Sequence, residues 1–270
     1  MCAVLGVSPS GFYAWRGRPL IATPVYPNHG LRARIRAIHA ASAGRYGSPR
    51  IHATLRAEGT RVGRNRVIHV MQDERLRGRP RRRFRVTTQA DWTAAPAPNV
   101  LNQRFIARAP NRVWTADITA LPTAEGWLYL AVVIDLYSRR VVGWAIRPSL
   151  DAELVCAAWQ MAHARRRPPP GLLHHSDRGC QYTSDRYQTL LRTHGVTSSM
   201  SRRGNCFDNA PTESFFRTLK VEIGERCYWP TRQVARRAVA AFIERFYNAR
   251  RLHSSLGYQT PETFETGYAA

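Results

Sequence analysis

Between residues 29 and 76 the apolar positions fall at helical spacing. Leu31, Ile35 and Ile38 form one stripe, because residues three and four apart share a side of a helix. Gly44 and Gly47 interrupt the pattern, Ile51 and Leu55 resume it, and Gly59 stops it again, with Val62 in the turn. Arg64 or Asn65 opens a third helix that turns Val67, Ile68 and Met71 inward. Helix, short glycine-containing turn, helix is the outline of a helix-turn-helix, with Arg64, Asn65, Arg66 and His69 facing out from its second helix. Upstream, residues 1–28 carry one short helix, capped by Ser8 or Ser10, with Phe12, Tyr13 and Trp15 on its apolar side. Downstream, residues 77–110 lose all periodicity. Arg77, Arg79, Arg81, Arg82, Arg83 and Arg85 form a basic run, followed by alanine- and proline-rich sequence with Pro96, Pro98 and Pro110. This stretch reads as a linker.

From residue 111 the period changes from helical to two. In VWTADITALP, residues Val113, Thr115, Asp117, Thr119 and Leu121 share one face of a strand. Glu125 and Gly126 turn the chain into WLYLAVVIDLYS, an unbroken apolar run typical of a strand buried on both faces. Arg139 and Arg140 turn it again into VVGWAI, completing an antiparallel meander. A helix from Leu150 to Arg167 ends at Pro168–Pro170; a short strand over Leu172–His174 leads to Asp177. Ser184 caps the next helix, which stops at Gly195, and Val196–Ser199 is a fifth strand. Trp114, Trp127 and Trp144 read as core. Three strands, helix, strand, helix, strand, then helices is the order of a ribonuclease-H-like fold: a mixed five-stranded α/β sheet with flanking helices over residues 111–225, with a helical extension over 226–270.

Charge then points to the partner. Against 18 acidic residues stand 41 basic ones, a net charge of +23. Codon usage can favour arginine over lysine, but it does not remove acids. A chain this basic meets a polyanion, and nucleic acid is the first candidate. The outward face of Arg64, Asn65 and Arg66 is then placed to read base edges of double-stranded DNA, and Arg81, Arg82 and Arg83 to track its phosphates. The five cysteines are odd in number and show no CxxC spacing, which supports neither a zinc ribbon nor a disulfide framework. No apolar run is long enough to cross a bilayer and no signal peptide is visible, so the expected place is the cytoplasm, at the bacterial nucleoid.

The candidate chemistry lies in three carboxylates. Asp117 sits mid-strand, where aspartate is disfavoured, Asp177 ends a strand, and Glu213 opens a short amphipathic helix containing Phe215, Phe216 and Leu219. Between Asp117 and Asp177 lie 59 residues, and between Asp177 and Glu213 lie 35. Carboxylates on three separate elements suit a pair of Mg²⁺ ions roughly 3.5–4 Å apart, which activate an oxygen nucleophile and stabilise a leaving oxygen in phosphoryl transfer. Asp135, before a turn with Arg139 and Arg140 at hand, reads as structural, and Asp208 as a turn residue. His174 and His175, close to Asp177, read as packed or solvated residues or as helpers that orient water or DNA; Asn205 and Asn209 read as turn formers or DNA contacts, and His253 as packing. Lys220 is the only lysine in the chain. Seven residues after Glu213, about 10.5 Å along a helix, it shares that residue's face, where a compact ammonium can hold a DNA phosphate.

VWTADITALP, IDLYSRRVVGW, HHSDRGCQYTS, SRRGNCFDNAPTESFFRTLK and YNARRLHSSLGYQTPETF, with RYGSPRIHATLR upstream, resemble the second-frame (OrfB) product of insertion-sequence transposases of the IS-three family, whose integrase core is of the retroviral kind. The likeness covers nearly the whole chain. It implies that Asp117, Asp177 and Glu213 are the D, D and E of a catalytic triad, and that Lys220 is the family's basic residue seven positions further on. It implies cleavage at insertion-element ends and strand transfer without a covalent enzyme intermediate, in Mg²⁺, with Mn²⁺ able to substitute. The implied partners are the terminal inverted repeats, target DNA, further copies of this chain, and the first-frame protein, separate or as a frameshifted fusion; no membrane is involved. The opening residues read as the continuation of a longer protein, and no heptad repeat is long enough for a zipper. Two other readings remain open: a catalytically silent DNA-binding or regulatory protein, and a structure-specific nuclease of the same fold.

Overall fold

The computed structural model describes residues 6–17, 29–78, 97–224 and 229–269. The chain divides into two units, Met1–Arg77 and Gly78–Ala270.

The first unit is helical. Helix α1 spans Pro9–Arg16, and the Ser8 hydroxyl accepts the Gly11 N–H at 3.0 Å, as an N-cap should. Helices α2 (His29–Ala41), α3 (Ser48–Ala57) and α4 (Arg64–Asp73) follow. Pro49 sits in the first turn of α3, where its missing N–H costs nothing. Ile35, Ile51, Leu55, Val67, Val70 and Met71 close the small core. Val70, rather than the half-exposed Ile68, is the inward residue of α4, because Val67, Val70 and Met71 lie three and four apart. Ion pairs from Arg32 to Asp73 and Glu74 tie α2 to the end of α4. Gly59, at φ +80°, makes the turn between α3 and α4.

The second unit is built on a five-stranded sheet, ordered β3-β2-β1-β4-β5. Strands β1 (Val113–Thr123), β2 (Gly126–Asp135) and β3 (Val141–Arg147) form the expected antiparallel meander. Strands β4 (Leu173–Ser176) and β5 (Thr197–Met200) add in parallel on the other side of β1. The two-residue period of β1 separates two cores. Trp114 and Ala116 face a layer made with α5 (Ala152–Arg166) and α7 (Asp185–Thr193). Leu121 faces the opposite layer, made with α8 (Ala210–Leu219), α9 (Arg232–Ala241) and the wide π-helical turn Phe242–Tyr247. Ser184 caps α7 by accepting the Tyr187 N–H, and a one-turn helix, α6 (Cys180–Thr183), fills the bend after Asp177.

Sequence pattern and structure part company at three places. Residues 97–110, expected within the linker, are partly held on the sheet unit: the Val100 and Leu101 N–H groups donate to Ser199 Oγ, and Leu101 is buried. Trp127, expected in the core, is 55% exposed at the end of the β1–β2 hairpin. The last segment does more than extend the core. The Asn248 carboxamide pairs with both the N–H and C=O of Val141, acting as a short partner for that edge of β3. Glu262 and Glu265 of α10 (Pro261–Ala269) bind Arg140, and Glu265 binds Arg166. The basic run Arg79–Arg85 lies outside the described residues.

Candidate active site

Asp117 stands in the middle of β1, opposite Val132 of β2. By the strand's alternation its side chain lies on the face covered by α8. Two contacts press α8 onto that face: Thr212 Oγ1 donates to Thr115 Oγ1 at 2.8 Å, and Asn209 Nδ2 donates to the Ala116 carbonyl at 3.0 Å. Glu213, next after Thr212, stands in the first turn of α8, near enough for its charge to act on Asp117. Asp177 follows β4 directly. Thr115 pairs with His175 in the parallel register, and the same offset carried two residues on sets Asp177 alongside Asp117. Asp177 Oδ1 accepts the Gly179 N–H at 2.9 Å, closing a tight turn. A Cβ at position 179 would lie 3.0 Å from that oxygen, so glycine is what the turn accommodates. Lys220 lies just past α8, at the start of a π-helical turn, Lys220–Gly224.

These groups feel one another's charge. Burial raises the Asp117 carboxyl well above its usual range; Asp177 and Glu213 push it further, while the Ile118 N–H and Lys220 oppose. Burial likewise raises Asp177, against the Gly179 N–H, and Glu213, against Arg217. Burial lowers Lys220, and Asp117 counters. The result is an array of carboxylates short of positive charge, all with oxygen donors of the kind that hard divalent cations prefer.

The neighbouring residues take other parts. His174 and His175 are buried and neutral: His174 is pushed down to about 3 by burial, then by its neighbour His175, and His175 to about 4 by burial. His174 Nε2 meets the Tyr187 hydroxyl at 2.6 Å, and the two nitrogens of His175 meet Ser199 and Ser201. Their work is packing. Asn209 is buried and clamps α8, while Asn205 caps the turn at Phe207. Asp135 is structural as expected, but with other partners. The N–H groups of Asn111 and Tyr137 donate to it and Arg166 lies 3.9 Å away, whereas Arg139 goes to the Phe105 carbonyl and Arg140 to α10. His253 stacks edge-on against Tyr247 at 4.9 Å.

Asp208 is the residue that sequence reasoning undervalued. It is fully buried and takes five hydrogen bonds: three from Arg202, and one each from Asn99 and Gln103. It thereby locks the segment after residue 97 to the loop that delivers Glu213. No local pattern announces contacts spanning more than a hundred residues. In the first unit, Arg64, Asn65 and Arg66 are exposed on the first turn of α4. Arg81, Arg82 and Arg83 fall outside the described residues.

A mixed five-stranded sheet with flanking helices, carrying a carboxylate array across its central strands, is the architecture of an integrase core, a polynucleotidyl transferase. Residues 107–206 and 194–261 match family models described as integrase core domain, and residues 28–84 match an HTH-like domain. The chain belongs to the insertion-sequence transposases of the IS-three family. It is 42% identical over 266 residues to the InsF transposase for insertion sequence IS3A of Escherichia coli strain K12, covering 98% of this chain and 92% of that protein. It is 41% identical over 269 residues to an uncharacterized 31 kDa protein of insertion element IS600 from Shigella sonnei, covering 99% of this chain and 98% of that one. Among solved structures, the intasome of simian T-cell lymphotropic virus bound to a PP2A regulatory subunit shares the fold, with a TM-score of 0.50 at 14% identity, over 86% of this chain and 74% of that one. Among the described residues no helix is long and apolar enough to cross a membrane.

Proposed function

We propose that this transposase cuts the ends of its insertion element and joins the freed 3′ hydroxyl to a target phosphodiester, through Asp117, Asp177 and Glu213. One observation carries the reading: Asp177, after β4, and Glu213, on α8, both act electrostatically on Asp117 of β1, in an otherwise strongly basic chain. Such a set is tolerable in its ionised form only with cations beside it. The three side chains would hold two Mg²⁺ ions, or Mn²⁺ in their place. Among the described residues no three such groups already converge into a ligand cage, so metal binding is expected to draw the carboxylates together. Bound there, divalent ions supply an activated oxygen nucleophile and a stabilised leaving oxygen.

The chain's own residues do the rest. The strand sets the backbone of Asp117, the Gly179 turn that of Asp177 and the α8 clamp that of Glu213, so only the carboxylates themselves have to close on the ions. Lys220, beside Asp117 in charge, holds a phosphate of the DNA end. Arg64, Asn65 and Arg66 read the terminal repeat, and the run containing Arg81, Arg82 and Arg83 follows its backbone. Joining two ends calls for at least two copies of the chain, with the first-frame protein as a further partner. The work takes place in the cytoplasm on nucleoid DNA.

The test is joining of labelled end DNA from the sequence flanking the gene, in Mg²⁺, by this chain and by its fusion to the upstream frame. Asp117→Asn, Asp177→Asn and Glu213→Gln should each abolish cleavage and joining while leaving DNA binding nearly intact. Full activity in any one removes that residue from the triad. Binding without cleavage by both intact forms points to the silent regulatory reading, and cleavage without joining to the nuclease.

A further inference from the structure

The segment ahead of β1 grips the loop between β5 and α8 at both of its ends. At the first end, the Val100 and Leu101 N–H groups donate to Ser199 Oγ at 3.0 and 3.2 Å, and the Met200 N–H donates to the Pro98 carbonyl at 3.3 Å. At the second end, Asn99 Nδ2 and Gln103 Nε2 donate to the two carboxylate oxygens of Asp208, each at 2.8 Å. Arg202, inside the loop, fills the remaining places on that carboxylate with its backbone N–H at 2.7 Å, Nε at 3.0 Å and Nη2 at 2.8 Å. Residues 98–103 therefore lie across the loop as a strap.

The strapped loop connects the surroundings of all three candidate carboxylates. Ser201 holds both neighbours of Asp177: its N–H donates to the Ser176 carbonyl at 2.9 Å, and its own carbonyl accepts from Arg178 Nε at 2.6 Å. Asn209, next after Asp208, holds a neighbour of each of the other two. Its Nδ2 donates to the carbonyl of Ala116, beside Asp117, and its Oδ1 accepts from Thr212 Oγ1, beside Glu213, both at 3.0 Å. Between Ser201 and Asn209, Asp208 is the one buried residue among those described; Arg202, Arg203, Gly204 and Phe207 are exposed. A buried carboxylate whose guanidinium partner is 50% exposed is a weak way to stabilise a fold, because lost hydration offsets the attraction. An apolar side chain would anchor the loop at less cost. What a full set of directed donors adds is one defined geometry.

We propose that Asn99, Gln103 and Asp208 form a positioning clasp for the candidate active site: the strap holds the loop between β5 and α8 closed, so that the turn of Asp177 and the start of α8 keep the separation that divalent cations require. Two of the three donor groups on Asp208, those of Asn99 and Gln103, come from outside the loop, and they set where its second end sits against β1. The inference rests on the reading of Asp117, Asp177 and Glu213 as metal-holding residues.

The experiment compares the full-length chain, the double variant Asn99→Ala/Gln103→Ala, and Asp177→Asn. The double variant leaves Arg202 on Asp208, so the loop keeps its charge partner and the chain folds. Thermal unfolding without DNA is followed over a titration of Mn²⁺ and of Mg²⁺, beside binding of end DNA and the rate of end joining at saturating DNA. In the double variant the metal-free melting temperature and DNA binding should stay close to wild type. Its joining rate should fall about 10-fold or more, and its midpoint for metal-induced stabilisation should rise. A wild-type value for either of these overturns the proposal. So does a joining rate that falls only in step with the melting temperature or with DNA binding, which would make the clasp a structural brace or a DNA contact. Asp177→Asn separates the two ideas: loss of joining and of the metal response there, with wild-type behaviour in the double variant, rejects only the clasp. A metal response retained in Asp177→Asn, or missing from the wild type, rejects the metal-holding reading and this inference with it.

Discussion

Asp135 and Asp208 show how differently one residue type behaves with its surroundings. Both are buried. Asp208 has Arg202 as a direct partner, which holds its carboxyl well below the usual range through side-chain hydrogen bonds. Asp135 has two backbone N–H donors but its nearest guanidinium is 3.9 Å away. Burial wins there, and its carboxyl rises from 3.8 to about 6. The sign follows from proton counting. Between about pH 4 and 6 the folded chain holds this proton and the unfolded chain does not. The contribution is thus complete at low pH and is lost as pH rises through about 6, with a size on the order of 3 kcal/mol. Asp135→Asn cannot titrate. Urea unfolding should therefore show the wild type losing up to about 3 kcal/mol relative to Asp135→Asn between pH 4 and pH 7; a constant difference would mean an ordinary carboxyl.

Among the elements, the contact between β3 and α5 has the least room. A Cβ at Gly143 would lie 2.3 Å from the Ala158 carbonyl oxygen and 2.6 Å from the Ala162 nitrogen. Both are helix backbone and cannot swing aside as a side-chain tip can. Strand β3 also bulges against β2 between Val133 and Ile134, which brings Val142 to the α5 side while Val141 faces the other core. Gly143→Ala should lower stability by about 1–3 kcal/mol or more, read as a shifted denaturation midpoint. A wild-type midpoint would show that α5 can back away freely.

For the molecule as a whole, charge and division of labour matter most. A net charge of +23 attracts DNA whatever its sequence, an attraction expected to fall steeply with salt. Selectivity must come from few residues. Arg64→Ala and Arg66→Ala, made in the full chain, should each cost about 1–3 kcal/mol of binding to end DNA, roughly a 5- to 150-fold loss. Binding to unrelated DNA at the same salt should change far less. Competition measured at one fixed ionic strength decides the point: equal losses on both DNAs would reduce these arginines to phosphate contacts.

The order of strands and helices, the two faces of β1, the caps at Ser8 and Ser184 and the spacing of Asp117, Asp177 and Glu213 were all legible along the chain. Each depends on backbone periods of two and of 3.6, which neighbouring residues express locally. What the tertiary structure alone decided are pairings between distant segments. Asn99 and Gln103 reach Asp208, Asn248 completes the edge at Val141, and Glu265 of the last helix answers Arg140 and Arg166. A loop containing aspartate and asparagine looks the same in sequence whether it is solvated or buried under five donors. Burial is likewise a property of the assembled layers. Trp127 opens the more apolar run, yet it ends exposed at a hairpin, while Trp114, among threonines and an aspartate, is sealed beneath α5.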